Sequence, residues 1–247
     1  GRALMGAALL GADAREAETV QLQFRGDGPL GALTVVGESD GRVRGFAANP
    51  RADVPLRDGK LDVGRAVGRG TLAVVRYHPS WREPYRGIVP LSTGEVAEDI
   101  ASYLLESEQR PSAVALGVYV AADSLVEAAG GFLVHVLPGA SDEVLSQLEA
   151  NIGALESPTQ MLRAGLRADD VLDRLLVDLG SRERLRSQPA FSCGCGRERM
   201  LRGVVLLGRR ELREIAASGE HLEVRCEFCR DEYVLGPDEV GALVPDA

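Results

Sequence analysis

The chain has 247 residues, 45% hydrophobic and only 4% aromatic, enough for one large domain or two smaller ones around a sizeable core. A formal net charge of −9 and a pI near 5.0 argue against nucleic acid or an anionic membrane as the main partner. No apolar run approaches the length that spans a bilayer, which makes a membrane protein a poor reading.

In chain order, Arg2, the apolar run 3–10 and Ala12-Asp13-Ala14 imitate a signal peptide with its cleavage site. The run is short and interrupted by glycine, so it reads instead as an amphipathic helix that starts upstream of Gly1. Residues 19–25 alternate apolar and polar, as a half-buried strand does, and Gly26-Asp27-Gly28-Pro29 follows as a turn. Residues 32–37 and 43–47 are strand-like runs about a hairpin turn, Ser39-Asp40-Gly41-Arg42. Strands are also expected at 70–77 and 85–91, and helical spacing of Val96, Ile100, Tyr103 and Leu104 predicts a helix over 96–108. Near-continuous apolar content predicts buried strands at 113–121 and 131–137. Residues 1–140 therefore read as an α+β core domain in which strands outnumber helices.

Beyond Pro138-Gly139 the pattern changes. Segments 142–152, 159–166 and 168–179 have helical spacing, repeatedly interrupted by Gly153, Pro158, Gly165 and Gly180. Residues 141–190 carry nine acidic and six basic side chains and no aromatic one, so they bury little apolar area per ordered residue. This predicts a metastable helical linker. Residues 191–247 hold all four cysteines and form the third expected region, a small zinc-binding domain.

Several motifs lose to simpler readings. Gly26-x-Gly28-x-x-Gly31 has dinucleotide-binding spacing, but Pro29 lies inside it and a strand rather than a helix comes next, so it reads as a β-turn. The glycines of 64–70 lack the Lys-Ser/Thr of a phosphate loop. His78, His135 and His221 have no partner at hydrolase or metal spacing and read as structural. Ser107-Glu108-Gln109 is a helix end with no chemistry of its own.

The cysteines are different. Cys193 and Cys195 lie one residue apart, and Cys226 and Cys229 follow as a C-x-x-C between expected strands at 221–225 and 232–235. Two tight pairs on turns are how four thiolates are brought tetrahedrally to one Zn²⁺. Gly194 and Gly196 ease the first turn. Arg197, Arg199, Arg225 and Arg230 flank the pairs and are expected to offset the negative charge of a ZnS₄ centre. A nucleic-acid zinc module is disfavoured because 191–247 holds eight arginines against eleven acidic residues. A thiol–disulfide oxidoreductase using Cys226 and Cys229 is the enzymatic alternative, weakened because the motif does not open a helix. A constitutive zinc-dependent protein-binding module is the other alternative.

With these residues in view the sequence resembles one family, the redox-regulated bacterial holdase chaperone heat-shock protein 33, or 33-kDa chaperonin. The resemblance is carried by 191–199 (FSCGCGRER) and 224–229 (VRCEFC). Upstream it is joined by 26–29 (GDGP), 85–91 (YRGIVPL), 107–109 (SEQ) and 129–132 (AGGF), in family order. It further implies an N-terminal strand and helix ahead of the Leu4-Met5 helix, so the core domain is expected to be N-terminally truncated.

The resemblance implies a cytoplasmic chaperone, not an enzyme, that is inactive when reduced and zinc-bound. It implies that oxidation forms Cys193–Cys195 and Cys226–Cys229 disulfides and expels zinc. The linker then unfolds to hold aggregating client proteins, and the activated form is a homodimer. Energetics suit such a switch: zinc contributes on the order of 10 kcal/mol to a small domain's folding. Disulfides closing loops this short restore far less.

Overall fold

The computed structural model describes residues 1–121, 123, 125–180 and 183–244. Positions 122 and 124 of the expected core, 181 and 182 of the expected linker, and 245–247 lie outside the described residues. The chain divides into two compact units, Gly1–Phe191 and Ser192–Ala247.

The first unit runs α1 (Arg2–Ala12), β1 (Thr19–Gly26), β2 (Leu33–Glu38), β3 (Arg42–Ala47), α2 (Val63–Val67), β4 (Gly70–Tyr77), β5 (Tyr85–Pro90) and α3 (Val96–Glu106). It continues through β6 (Ser112–Val120), β7 (Val126–His135), α4 (Asp142–Gly153), α5 (Pro158–Arg163), α6 (Ala168–Leu175) and β8 (Ala190–Phe191). Six strands form one sheet in the order β5-β4-β1-β2-β3-β8, antiparallel except where β8 joins β3 in parallel. The alternation in β1 has the expected consequence: Val20, Leu22 and Phe24 are fully buried on one face, while the residues between them are partly exposed. Helices α1 and α3 bring Ala3, Ala7, Leu10, Ile100, Tyr103 and Leu104 into the same core. The apolar run near the N-terminus is therefore a helix docked on the sheet, with its small residues turned inward.

Gly26-Asp27-Gly28-Pro29 ends β1 against the α2–β4 turn. Asp27 accepts a hydrogen bond from the Arg69 backbone N–H at 2.7 Å, and the Gly28 N–H donates to the Val67 carbonyl at 2.9 Å. A Cβ on Gly26 would sit 1.9 Å from that carbonyl oxygen, so close backbone approach explains the glycine, and β2 follows as a strand.

The strands expected at 113–121 and 131–137 form, but they are not buried as predicted. They are β6 and β7, a two-stranded sheet apart from the main one, and β7 begins five residues earlier than expected. Only Gly117 in β6 and Phe132 in β7 are buried. Their apolar residues are shared between helices: α1 and α3 lie against this ribbon, and α5 packs on it as well, each covering part of its length. The helices expected at 159–166 and 168–179 are shorter in the structure, as α5 and α6. The capping box of Ser157 and Gln160 starts α5, and Gly165 in the left-handed conformation follows its end.

Among the described residues of 141–190, those buried are Asn151, Met161 and Leu175. Asn151 ties α4 to the end of α6 by donating to the carbonyls of Leu175 and Val177, both at 2.9 Å. A cleft of about 370 Å³ lies where Met161, Leu162, Val171, Leu172 and Leu175 face Phe132 of β7. Packing here is thin.

The second unit comprises α7 (Arg197–Val205), α8 (Arg209–Ser218), β9 (Leu222–Arg225), β10 (Glu232–Leu235) and α9 (Pro237–Ala242). The two strands match expectation; the three helices were not anticipated, because charged residues take up about half of α7 and α8 and leave a narrow apolar stripe. That stripe supplies Val204 and Leu212, which meet Leu235 and Val240 in a small core. Among the described residues no helix is long and apolar enough to cross a membrane.

Candidate metal centre

Two turns carry the cysteines. Cys193 and Cys195 lie in the loop between β8 and α7, and Cys226 and Cys229 in the turn that joins β9 to β10. The antiparallel pairing of Arg225 with Glu232 brings the ends of the second turn together. The Cys226 N–H donates to the Asp231 carbonyl and the Arg230 N–H to the Cys226 carbonyl, each at 2.9 Å. Arg230 adopts φ +67°, closing the turn through a left-handed residue.

The structure brings all four predicted ligands together. Their sulfurs lie within 4.8 Å of one another, the one such group of His, Cys, Asp and Glu among the described residues. Cys193 and Cys226 sulfurs are 3.6 Å apart, and those of Cys195 and Cys229 are 3.2 Å apart. A tetrahedral site with metal–sulfur bonds of about 2.3 Å has sulfur–sulfur edges of about 3.8 Å. The four sulfurs therefore fit one ion. All four cysteines are free thiols, and every sulfur is near every other, so proximity does not select a disulfide pairing.

Electrostatics lead to the same conclusion. Burial works to raise the Cys226 thiol, but the backbone N–H groups of Cys229 and Phe228 outweigh it and bring it down to about 7. Burial pushes Cys193 up. The Asp231 N–H works to lower Cys229, yet burial and the neighbouring sulfurs of Cys195 and Cys226 drive it up. Four thiols this close cannot all ionise without a cation between them. A metal ion held between them would supply that charge, and four sulfur donors suit a soft one.

The flanking arginines act differently from expectation. Arg197 is bound to Glu239 and to the Val234 carbonyl, Arg225 faces Glu232 at 3.7 Å, and Arg230 faces Glu227 at 3.1 Å. Their charge is largely answered by carboxylates, so they brace the fold around the sulfurs more than they neutralise them. Arg199 alone of the four reaches the first turn, donating to the Gly194 carbonyl at 3.1 Å.

Other motif residues serve the core. Gly87 and Ser107 meet where β5 passes the end of α3: a Cβ on Gly87 would lie 2.3 Å from Ser107 Oγ and 2.7 Å from the Tyr103 ring. Beside them Arg76 bonds Glu108 at 2.8 Å and Glu18 at 3.1 Å, and the Tyr103 hydroxyl donates to Glu108 at 2.9 Å. Burial works to lower the Arg76 guanidinium, but Glu108 and Glu18 more than reverse it. Nothing local in Ser107-Glu108-Gln109 gives it a role, because Arg76, which bonds Glu108, lies on the distant strand β4. His135 is held by Ser112 at 2.6 Å and faces the Asp13 carboxylate at 3.3 Å, as a structural histidine would be. Tyr233 was also missed; its hydroxyl lies 3.3 Å from the Cys195 sulfur.

Fold and site together define an α+β protein whose C-terminal unit gathers four cysteines that could hold one metal ion. The family model described as "Hsp33 protein" matches residues 1–236, and the chain belongs to the Hsp33 family. Among curated relatives, a 33 kDa chaperonin of Thermus thermophilus is 46% identical over 100% of this chain and 75% of its own length. The 33 kDa chaperonin of Alkaliphilus metalliredigens is 37% identical, over 100% of this chain and 85% of its own. The crystal structure of a 33 kDa chaperonin, a heat shock protein 33 homolog from Thermotoga maritima, superposes with a TM-score of 0.86. It is 35% identical, covering 98% of this chain and 83% of that one.

Proposed function

We propose that the chain is a cytoplasmic holdase chaperone switched on by oxidation, with zinc as the ion held by Cys193, Cys195, Cys226 and Cys229. The observation that carries this is the convergence of four free thiols on one point in a unit whose own core is small. A domain of this size rarely stabilises itself by burial alone, and a structural metal is a common remedy. When bound, zinc holds the sulfurs as thiolates, the form that reacts with oxidants.

With hydrogen peroxide as oxidant, one thiolate sulfur attacks a peroxide oxygen, giving a sulfenic acid and releasing hydroxide. A second thiolate attacks that sulfur, forms the S–S bond and displaces a second hydroxide. Each disulfide delivers two electrons to one peroxide, and two protons complete two waters. The family resemblance assigns the pairs as Cys193–Cys195 and Cys226–Cys229. Sulfurs committed to disulfides no longer hold the metal, and the second unit loses the larger part of its stability. Helices α4–α6, with two fully buried apolar side chains among them, unfold in turn. Their freed leucines and valines bind unfolding clients, and the active form is a homodimer.

The oxidoreductase alternative is poorly supported, because the C-x-x-C turn joins two strands and opens no helix. The deciding experiment treats zinc-loaded protein with peroxide and mild heat while following zinc release and light scattering of a heat-unfolding client. Suppressed scattering only after oxidation is expected. Suppression by the reduced protein, lost when zinc is removed, would establish a constitutive binding module. Unchanged scattering with turnover of a small disulfide would establish an oxidoreductase.

A further inference from the structure

Beyond its four sulfurs the centre has a polar neighbour on β10. Tyr233 pairs with Val224 of β9 and lies on the same strand face as the buried Leu235, which directs its ring inward. The hydroxyl lies 3.3 Å from the Cys195 sulfur, within hydrogen-bond range for sulfur. The Asp231 carboxylate lies 4.0 Å from the same sulfur. Once Cys195 is a metal-bound thiolate it has no proton to give, so the phenol O–H must be the donor. Asp231 then presents like charge to that sulfur, and the tyrosine hydroxyl is the side-chain group that answers it.

Hydrogen bonds from outside the ligand set tune a metal thiolate by drawing charge off the sulfur. We propose that Tyr233 is a positioning residue of the metal centre, donating to the Cys195 thiolate and so retaining the metal and restraining that sulfur's reactivity. The inference rests on the zinc reading above and deepens it: Tyr233 sets how readily the switch trips. Sequence alone gives little sign of it, because a tyrosine in a short strand is ordinary core material.

Tyr233→Phe removes one hydroxyl and keeps the ring. Two readouts follow its effect. Zinc competition against a chromogenic chelator should show about tenfold weaker retention, the lower end of what losing such a partner costs. In the cobalt-substituted protein the sulfur-to-metal charge-transfer band should move to longer wavelength, because an unbonded thiolate gives up its electron more easily. Tyr85→Phe, which removes a hydroxyl from β5, should leave both unchanged. If Tyr233→Phe fails to fold, Tyr233→Leu removes the same hydroxyl with a different shape and should move both readouts the same way. Parent-like retention and an unshifted band in a folded variant overturn the role of Tyr233 while leaving the zinc centre standing. A parent chain that takes up no cobalt into a four-thiolate site overturns the zinc reading and this inference together.

Discussion

The two units hold themselves together by different means. Gly1–Phe191 has a continuous core in which sheet and helices bury Leu10, Leu22, Phe24, Leu72, Ile100, Tyr103 and Leu104 completely. Among the described residues, Ser192–Ala247 buries four aliphatic side chains in its core, Val204, Leu212, Leu235 and Val240, and gathers four thiols on two turns. Burial of a large aliphatic side chain contributes about 1.5–3 kcal/mol, while each ordered residue costs about 1–2 kcal/mol of backbone entropy. The first unit meets that cost with area. The second has less area to meet it with, and in the proposed function a metal held by the four sulfurs makes up the difference.

The contrast can be broken most forcefully by removing the zinc proposed for the four sulfurs. Chelation, or Cys226→Ser, should abolish about 10 kcal/mol of folding energy in the second unit. Hydrogen exchange should then accelerate throughout 197–242, while amides of β1, β2 and β4 stay protected. Equal loss of protection in the main sheet would mean that the units are not energetically separate.

The reverse experiment attacks the first unit. Phe24→Ala should cost about 3–5 kcal/mol by emptying a fully buried site, lowering the thermal midpoint while metal affinity holds. A change in metal affinity would show coupling between the cores.

A smaller effect sharpens the picture within the first unit. Asn151→Ala leaves the Leu175 and Val177 carbonyls without their donor and should cost about 1–3 kcal/mol. Exchange should speed in α4 and α6 before it changes in the β1–β4 pair. Uniform acceleration would contradict thin packing confined to these helices.

The mildest expectation concerns pH. Burial works to raise Asp13, but hydrogen bonds from His135 and Arg110 outweigh it and hold the carboxyl at about 2. A carboxyl depressed on folding adds stability above its unfolded value of about 4, and that stability is lost as pH falls toward 2. Thermal melts between pH 5 and 2 should fall less steeply in Asp13→Asn than in the parent. Identical slopes would deny Asp13 this contribution.

Sequence determined the parts whose physics is local. Alternation marked β1, since Val20, Leu22 and Phe24 must share one face, and cysteine spacing marked the four-sulfur cluster, since two tight turns each present a pair of sulfurs. Tertiary structure decided what depends on partners distant in the chain. Apolar content could not distinguish a buried central strand from the half-covered β6–β7 ribbon, because the difference lies in which helices cover it. Glu108 acquires a role only when Arg76 arrives from β4, and Tyr233 only when β10 brings its hydroxyl to Cys195. Residue type limits what a side chain can do, but charge pairing and second-partner hydrogen bonds act over a few ångströms, and only the folded chain sets those distances.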